Sequence, residues 1–215
     1  MSDWNTRLDT VLEQLQCRTD PLWTAVVLEH PLQLLNDHAH LEKKAAANAM
    51  ELLGRYPFPD TPADWVQKLA AVIQDESSHL RQVLRLIYRR GGRFESFHRN
   101  PYASGLHQHI RKGSGDLELL DRLLVSALIE LRSCERFALL SDFRWNQDTE
   151  LRRFYRALAH SESGHFRIFL QLGRLVAPQA VDGSWRRWLH LEADVIQKQA
   201  RLEPVRMHAW PQAPL

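Results

Sequence analysis

Gln74-Asp75-Glu76-Ser77-Ser78-His79-Leu80 lies inside a long run whose apolar residues recur at helical spacing: Trp65/Val66, Leu69, Val72/Ile73, then Leu80, Val83 and Leu86/Ile87. On a helix those positions share one face, and Glu76 and His79 fall on that same face. A carboxylate and an imidazole turned toward a core need partners, because burying them unpaired costs several kcal/mol. A metal ion is one such partner. Glu-x-x-His on an inward-facing helix is half of a di-metal arrangement found in helix bundles.

Outward from that stretch, Gly and Pro cluster at a few points and helical patterns fill the space between them. A short amphipathic helix is expected over 3–17 and a second apolar run over 22–29. A long helix is expected from Pro31 to Leu53, with Gly54 as its cap. Thr61-Pro62-Ala63-Asp64 reads as N-cap, first-turn proline and acidic first turn of the helix that carries Glu76, which runs to about Arg90. Residues 93–115 are irregular, and a loop of that length is usually functional or partly ordered by contacts. Further helices are expected over 116–143, 149–176 and 184–202. No strand pattern appears, so the class is all-α. The chain reads as one domain over 1–215, with a core bundle over about 31–176 and additional N- and C-terminal helices.

The fourth long helix repeats the motif as Glu162-Ser163-Gly164-His165, again on the apolar face. With eleven His in the chain, a lone Glu-x-x-His match is weak evidence. A third match, Glu95 to His98, sits in the irregular segment beside Gly92 and Pro101 and is set aside. The arrangement also needs one Glu from each of two more helices. Glu42 is the candidate on the first, although Asp37, His38 and His40 crowd the same helix. Glu130 and Glu135 compete on the third, and height separates them. Glu76 lies roughly 21 Å into its helix and Glu42 roughly 18 Å before the end of its own, at 1.5 Å per residue. Glu162 and Glu130 each lie about thirteen residues from their connecting turn, whereas Glu135 would lie only roughly 12 Å from it. Glu130 is therefore the expected ligand, and Glu135 a residue beside the metals or on the substrate side. Four carboxylates and two imidazoles suit iron or manganese. The absence of a thiolate argues against a structural zinc site of the cysteine kind.

Composition sets the outer limits. The 44% hydrophobic and 25% charged fractions are those of an ordinary soluble domain. Two cysteines, Cys17 and Cys134, argue against a disulfide scaffold and fit a reducing cytoplasm. No stretch approaches a membrane span and the first residues lack the apolar core of a signal peptide, so a cytoplasmic location is expected. A net charge of +2 neither demands nor excludes a nucleic-acid partner. Gly91-Gly92 and Gly113-Ser114-Gly115 form no dinucleotide fingerprint.

Four segments resemble the MiaE family, tRNA 2-methylthio-N6-isopentenyladenosine hydroxylases with a ferritin-like four-helix bundle. They are Asp37-His-Ala-His-Leu-Glu-Lys-Lys-Ala-Ala46, Asp75-Glu-Ser-Ser-His-Leu-Arg-Gln-Val-Leu84, Leu128-Ile-Glu-Leu-Arg-Ser-Cys-Glu-Arg-Phe137 and Glu162-Ser-Gly-His-Phe166. The resemblance covers roughly residues 31–205, and Arg132-Ser-Cys-Glu-Arg-Phe137 is its most specific part. It implies a non-haem di-iron centre held by Glu42, Glu76, His79, Glu130, Glu162 and His165. It further implies O₂ as co-substrate, hydroxylation of the prenyl chain of an adenosine beside the tRNA anticodon, and electrons from an external, ferredoxin-type donor. A monomer or small oligomer is expected. For the RNA, Arg81, Arg85, Arg89, Arg90, Arg93, Arg99, Arg111 and Lys112 form a basic set, and Phe94, Phe97 and Tyr102 could stack a base. Two rival readings stand beside this one: a ferritin-like iron-storage or peroxide-scavenging protein, which would use the same six ligands, and an inactive helical bundle that binds RNA or protein.

Overall fold

The computed structural model describes residues 10–199 and 205–209, and among these there is no strand. From Leu22 on, seven helices follow in order among the described residues: α1 Leu22–Leu28, α2 Pro31–Leu53, α3 Ala63–Arg89, α4 Pro101–His107, α5 Asp116–Leu140, α6 Thr149–Val176 and α7 Val181–Lys198. Pro31 opens α2 at a position where its missing N–H is harmless, and Gly54 closes it. The start of α3 differs from expectation. Pro62 is itself the capping residue, with an extended ψ of 142°, and the helix begins at Ala63. The side chain of Asp148 accepts the Leu151 N–H at 3.0 Å and starts α6. The α5 helix stops at Leu140, short of residue 143, because Asn146 Nδ2 donates to the Leu140 carbonyl at 2.8 Å and ends the ladder. The last helix begins three residues before the expected start at 184. Its expected end at 200–202, and residues 3–9 of the expected 3–17 helix, lie outside the described residues; of the remainder only 10–12 are helical and 13–17 are not, with Val11, Leu12 and Leu15 buried.

The α2/α3 and α5/α6 pairs are antiparallel hairpins, and together they form the four-helix bundle. Arg90 at the end of α3 reaches Asp148 at 2.7 Å and Glu150 at 2.8 Å, so α3 and α6 are antiparallel neighbours. Asn48 Nδ2 donates to Ser126 Oγ at 2.9 Å and joins α2 to α5. The helices therefore surround the axis in the order α2, α3, α6, α5. Residues 93–115, which contain α4, cross from the α3 end of the bundle to the start of α5. They are anchored by His98 on Asp37 (2.8 Å) and by Tyr102 on Glu192 (3.0 Å).

The core divides into two apolar clusters. One holds Leu52, Trp65, Leu69, Val72, Leu123, Phe166, Phe169 and Trp188. The other holds Trp23, Leu34, Leu35, Val83, Ile87, Phe137, Leu140 and Tyr155. On every bundle helix, a Glu or a Glu-x-x-His pair occupies the gap between the two clusters.

Candidate metal centre

Glu42 of α2, Glu76 and His79 of α3, Glu130 of α5, and Glu162 and His165 of α6 are all buried. Ligand atoms of Glu42, Glu76, His79 and Glu162 lie within 4.8 Å of one another, and so do those of Glu76, Glu130, Glu162 and His165. The two quartets share Glu76 and Glu162. The arrangement could therefore hold two adjoining cations, with two carboxylates within reach of both and one further Glu and one His for each. Height and rotation together produce it. A step of three positions from Glu to His turns the helix by most of one turn, so both side chains reach the same layer.

Both imidazoles turn Nδ1 inward. His79 Nδ1 lies 3.4 Å from Glu162 Oε1 and 3.5 Å from Glu42 Oε2. His165 Nδ1 lies 2.7 Å from Glu76 Oε1 and 3.1 Å from Glu162 Oε2. The outer nitrogen of His165, Nε2, faces Asp75 Oδ2 at 3.2 Å, a contact that fixes the ring's orientation and tautomer. Glu42 is held from behind by His38 Nε2 at 2.5 Å. His38 itself is enclosed by the rings of Phe137, Phe154 and Tyr155.

Electrostatics favour cations at this centre. Burial pushes the Glu76 and Glu130 carboxyls up, reinforced for Glu76 by Glu42 and for Glu130 by Glu76 and Glu162. Burial also opposes the charge on Glu42, but the charge and hydrogen bond of His38 and the hydrogen bond from His79 outweigh it and hold that carboxyl at about 2. Burial lowers both ligand-type imidazoles, and the surrounding carboxylates override it, raising His79 to about 10 and His165 to about 12. The site thus gathers positive charge even on its own histidines. Glu76 Oε1, Glu162 Oε1 and His79 Nδ1 are buried and lack a hydrogen bond of good geometry, which is what two cations placed among them would satisfy. The donor set, four carboxylates and two imidazoles, fits two divalent ions of the iron or manganese type.

A cavity of about 20 Å³ reaches this layer between α2 and α5, lined on one side by His38, Leu41 and Ala45 and on the other by Ile129, Ser133 and Phe137. Leu41, Ala45 and Ile129 are partly exposed, so it opens on the α2/α5 side.

Other expectations are corrected. The carboxylate of Glu135 turns away from the metal layer and accepts from Arg18 Nε at 2.9 Å, Thr19 N at 3.0 Å and Arg132 Nη1 at 2.5 Å. Five residues beyond Glu130, it is rotated by about 140° on the helix. It belongs to a second buried network, in which Arg132 also bonds both oxygens of Glu192 at 2.8 Å and so ties α5 to α7. Nor do the basic residues form one surface. Arg89 and Arg90 pair with Glu150 and Asp148 near the start of α6. Arg111 is committed to Asp121 near the start of α5, at the opposite end of the bundle, with Lys112 beside it. Arg85 projects from the outer side of α3. Arg93 and Arg99 are exposed beside a cleft of about 190 Å³ that includes Phe97, and the Arg99 guanidinium lies 5.4 Å from the Phe97 ring. Glu95 and His98, set aside from the sequence, stay outside the centre: His98 bonds Asp37 and Lys44 and stacks on His40. The contributions of Asp75 and His38 were not assigned from the sequence. The signal for Asp75 is its place directly before Glu76, and for His38 its place one turn before Glu42.

With this geometry in hand, comparison with known proteins is decisive. A protein of Pseudomonas putida named tRNA 2-(methylsulfanyl)-N(6)-isopentenyladenosine(37) hydroxylase is 37% identical, over 77% of this chain and 78% of that protein. A protein of the same name from Salmonella typhimurium is 28% identical, over 88% of this chain and 86% of that protein. A solved structure described as protein 43 with aldehyde deformylating oxygenase activity, from Synechococcus, superposes with a TM-score of 0.82 at 33% identity. It covers 91% of this chain and 96% of that one. The sequence profile of the tRNA-(ms2io6A)-hydroxylase family matches residues 6–209, and the chain belongs to that family, MiaE.

Proposed function

We propose that this protein is an O₂-dependent tRNA hydroxylase that hydroxylates the isopentenyl side chain of 2-methylthio-N6-isopentenyladenosine beside the anticodon. The carrying observation is a buried layer of four carboxylates and two imidazoles, reached through a narrow apolar cavity, in a chain of the MiaE family. Two iron ions held by Glu42, Glu76, His79, Glu130, Glu162 and His165 would supply the binding and reduction of O₂. The rest follows from the chain's own residues. Leu41, Ala45, Ile129 and Phe137 give a branched hydrocarbon chain an apolar wall and keep bulk water from the layer. Asp75 and His38 hold His165 and Glu42 in place. Ser133 lines the cavity, and its Oγ lies 3.2 Å from His208 Nε2, so a hydroxyl is available there to hold or pass a proton.

Arg93, Arg99 and the exposed Phe97 support contact with a single-stranded loop, since unpaired bases stack on aromatic and guanidinium planes. Family membership supports hydroxylation and adds nothing to the storage reading. No helix among the described residues is long and apolar enough to cross a membrane, which fits work on tRNA in the cytoplasm. The test is mass spectrometry of tRNA nucleosides from cells with and without the protein. The hydroxylated prenyl adenosine should disappear on deletion and return with the wild-type chain but not with Glu130→Ala. Unchanged hydroxylation on deletion would refute the function.

A further inference from the structure

Hydroxylating a C–H bond with O₂ takes up two electrons and two protons, giving the alcohol and one water (R–H + O₂ + 2e⁻ + 2H⁺ → R–OH + H₂O). If the protein is the hydroxylase proposed above, those electrons must reach the buried layer from outside. The two open sides of the bundle differ. The α2/α5 side carries the cavity, the crossing segment 93–115 and residues 205–209, whose Met207 N–H donates to Asp37 at 2.8 Å and whose Ala209 carbonyl accepts from Arg136 at 2.7 Å. The α3/α6 side carries the histidines.

On that second side the arginines are unusually free. Arg85 follows Glu76 by nine residues and Arg153 precedes Glu162 by nine, and nine residues are two and a half turns. Both therefore point directly away from the centre, at matched heights about 13 Å above it along the axis. Arg81 and Arg156 lie about one turn closer. All four are exposed, and among the described residues none has an ion-pair partner. Their neighbours Arg89 and Arg90 behave differently and are tied to Glu150 and Asp148. Small, partly exposed Ser78, Ser161 and Gly164 leave a shallow floor between the arginines and the centre, and a Cβ built on Gly164 would meet nothing within 4 Å. Below that floor the path inward is short. The half-exposed carboxylate of Asp75 (52%) contacts His165 Nε2 at 3.2 Å, and the opposite nitrogen of the same ring lies 2.7 Å from Glu76.

We propose that the α3/α6 face is the docking surface for an acidic one-electron donor protein of the iron–sulfur class, and that electrons enter beside Asp75 and His165. Two successive encounters supply the two electrons, each oxidising one reduced donor by one electron. Unpaired arginines along one edge of a floor of small residues give charge complementarity and steering to an acidic partner. Under the hydroxylase reading the RNA approaches the other side, where the cavity toward the layer opens between α2 and α5.

The test compares wild type with R81E/R85E/R153E/R156E and with the same four positions changed to Gln. An acidic two-iron two-sulfur ferredoxin and a prenylated anticodon stem-loop serve as probes, and a dithionite-reduced single turnover reports chemistry without a donor. The charge reversal should weaken ferredoxin binding by at least about tenfold at low salt, with the gap closing as salt rises. The Gln set should lose less, in the same direction. Stem-loop affinity, thermal midpoint and dithionite-driven turnover should stay near wild type. Unchanged ferredoxin affinity overturns the proposal, and so does a loss of stem-loop affinity with ferredoxin binding intact, which would make this face an RNA surface. A wild-type protein that binds ferredoxin in this charge-dependent way yet never hydroxylates with dithionite would overturn the hydroxylase reading and leave the docking surface standing.

Discussion

Glu76 and Glu192 each interrupt the apolar stripe of a helix, and burial leads them to different partners. Glu76 meets three other carboxylates and two imidazoles, an excess of negative charge that cations would relieve. Glu192 meets Arg132 and the Tyr102 hydroxyl, and the neutralisation is complete without a metal. Glu130→Gln should therefore lower metal content sharply with little loss of fold, whereas Glu135→Gln should keep the metal and lose stability. Removing Glu135 leaves Arg132 short of a partner, a cost of roughly 3–5 kcal/mol or a fall of roughly 6–20 °C in thermal midpoint. Metal analysis and calorimetry on the two variants separate the roles. The imidazoles give a pH prediction. With His79 raised to about 10 and His165 to about 12, both hold a proton at pH 7 in the metal-free protein. Ligation needs them neutral, so iron or manganese uptake should release protons and tighten as pH rises from 6 toward 9. Titration calorimetry in buffers of different ionisation enthalpy measures the release; uptake with no proton release would contradict the assignment.

At the scale of elements, α2 and α5 hold the approach to the centre between them. Their contact at Asn48 and Ser126 closes one end of the groove. Residues 205–209 cover the other, where His208 meets Ser133 and Met207 packs with Trp23 and Phe137. Ile129 sits on the groove wall, is partly exposed and offers no ligand atom. Ile129→Phe should reduce kcat/KM on prenylated tRNA by about tenfold or more while metal content and thermal midpoint stay close to wild type. Steady-state kinetics with metal analysis on the same sample check it. The seven-residue α4 was expected as loop, because Asn100-Pro101 starts a helix too short to show a period. What holds it is tertiary: Tyr102 reaches Glu192, and Gly105 packs against Val195, where an added Cβ would come within 2.9 Å.

At the scale of the whole molecule, two apolar clusters stacked along the bundle enclose a polar layer, and additional helices cover one flank. A storage protein would have to assemble a large hollow shell. Sedimentation should instead show a monomer or small oligomer, and a particle of many subunits would count against the hydroxylase. Much of this was legible beforehand. Helical period, proline and glycine punctuation, and ligand-type residues on apolar stripes are local properties, and they determined the long helices and singled out the six residues that the fold gathers in one buried layer. Glu130 was separable from Glu135 because rise per residue is a constant of the helix. Tertiary structure decided the rest. Which arginines remain free depends on whether Asp121, Asp148 or Glu150 comes within reach. Whether a buried carboxylate meets cations or an arginine depends on the opposing helix. Both depend on neighbours far apart in the chain, and no spacing along the sequence encodes them.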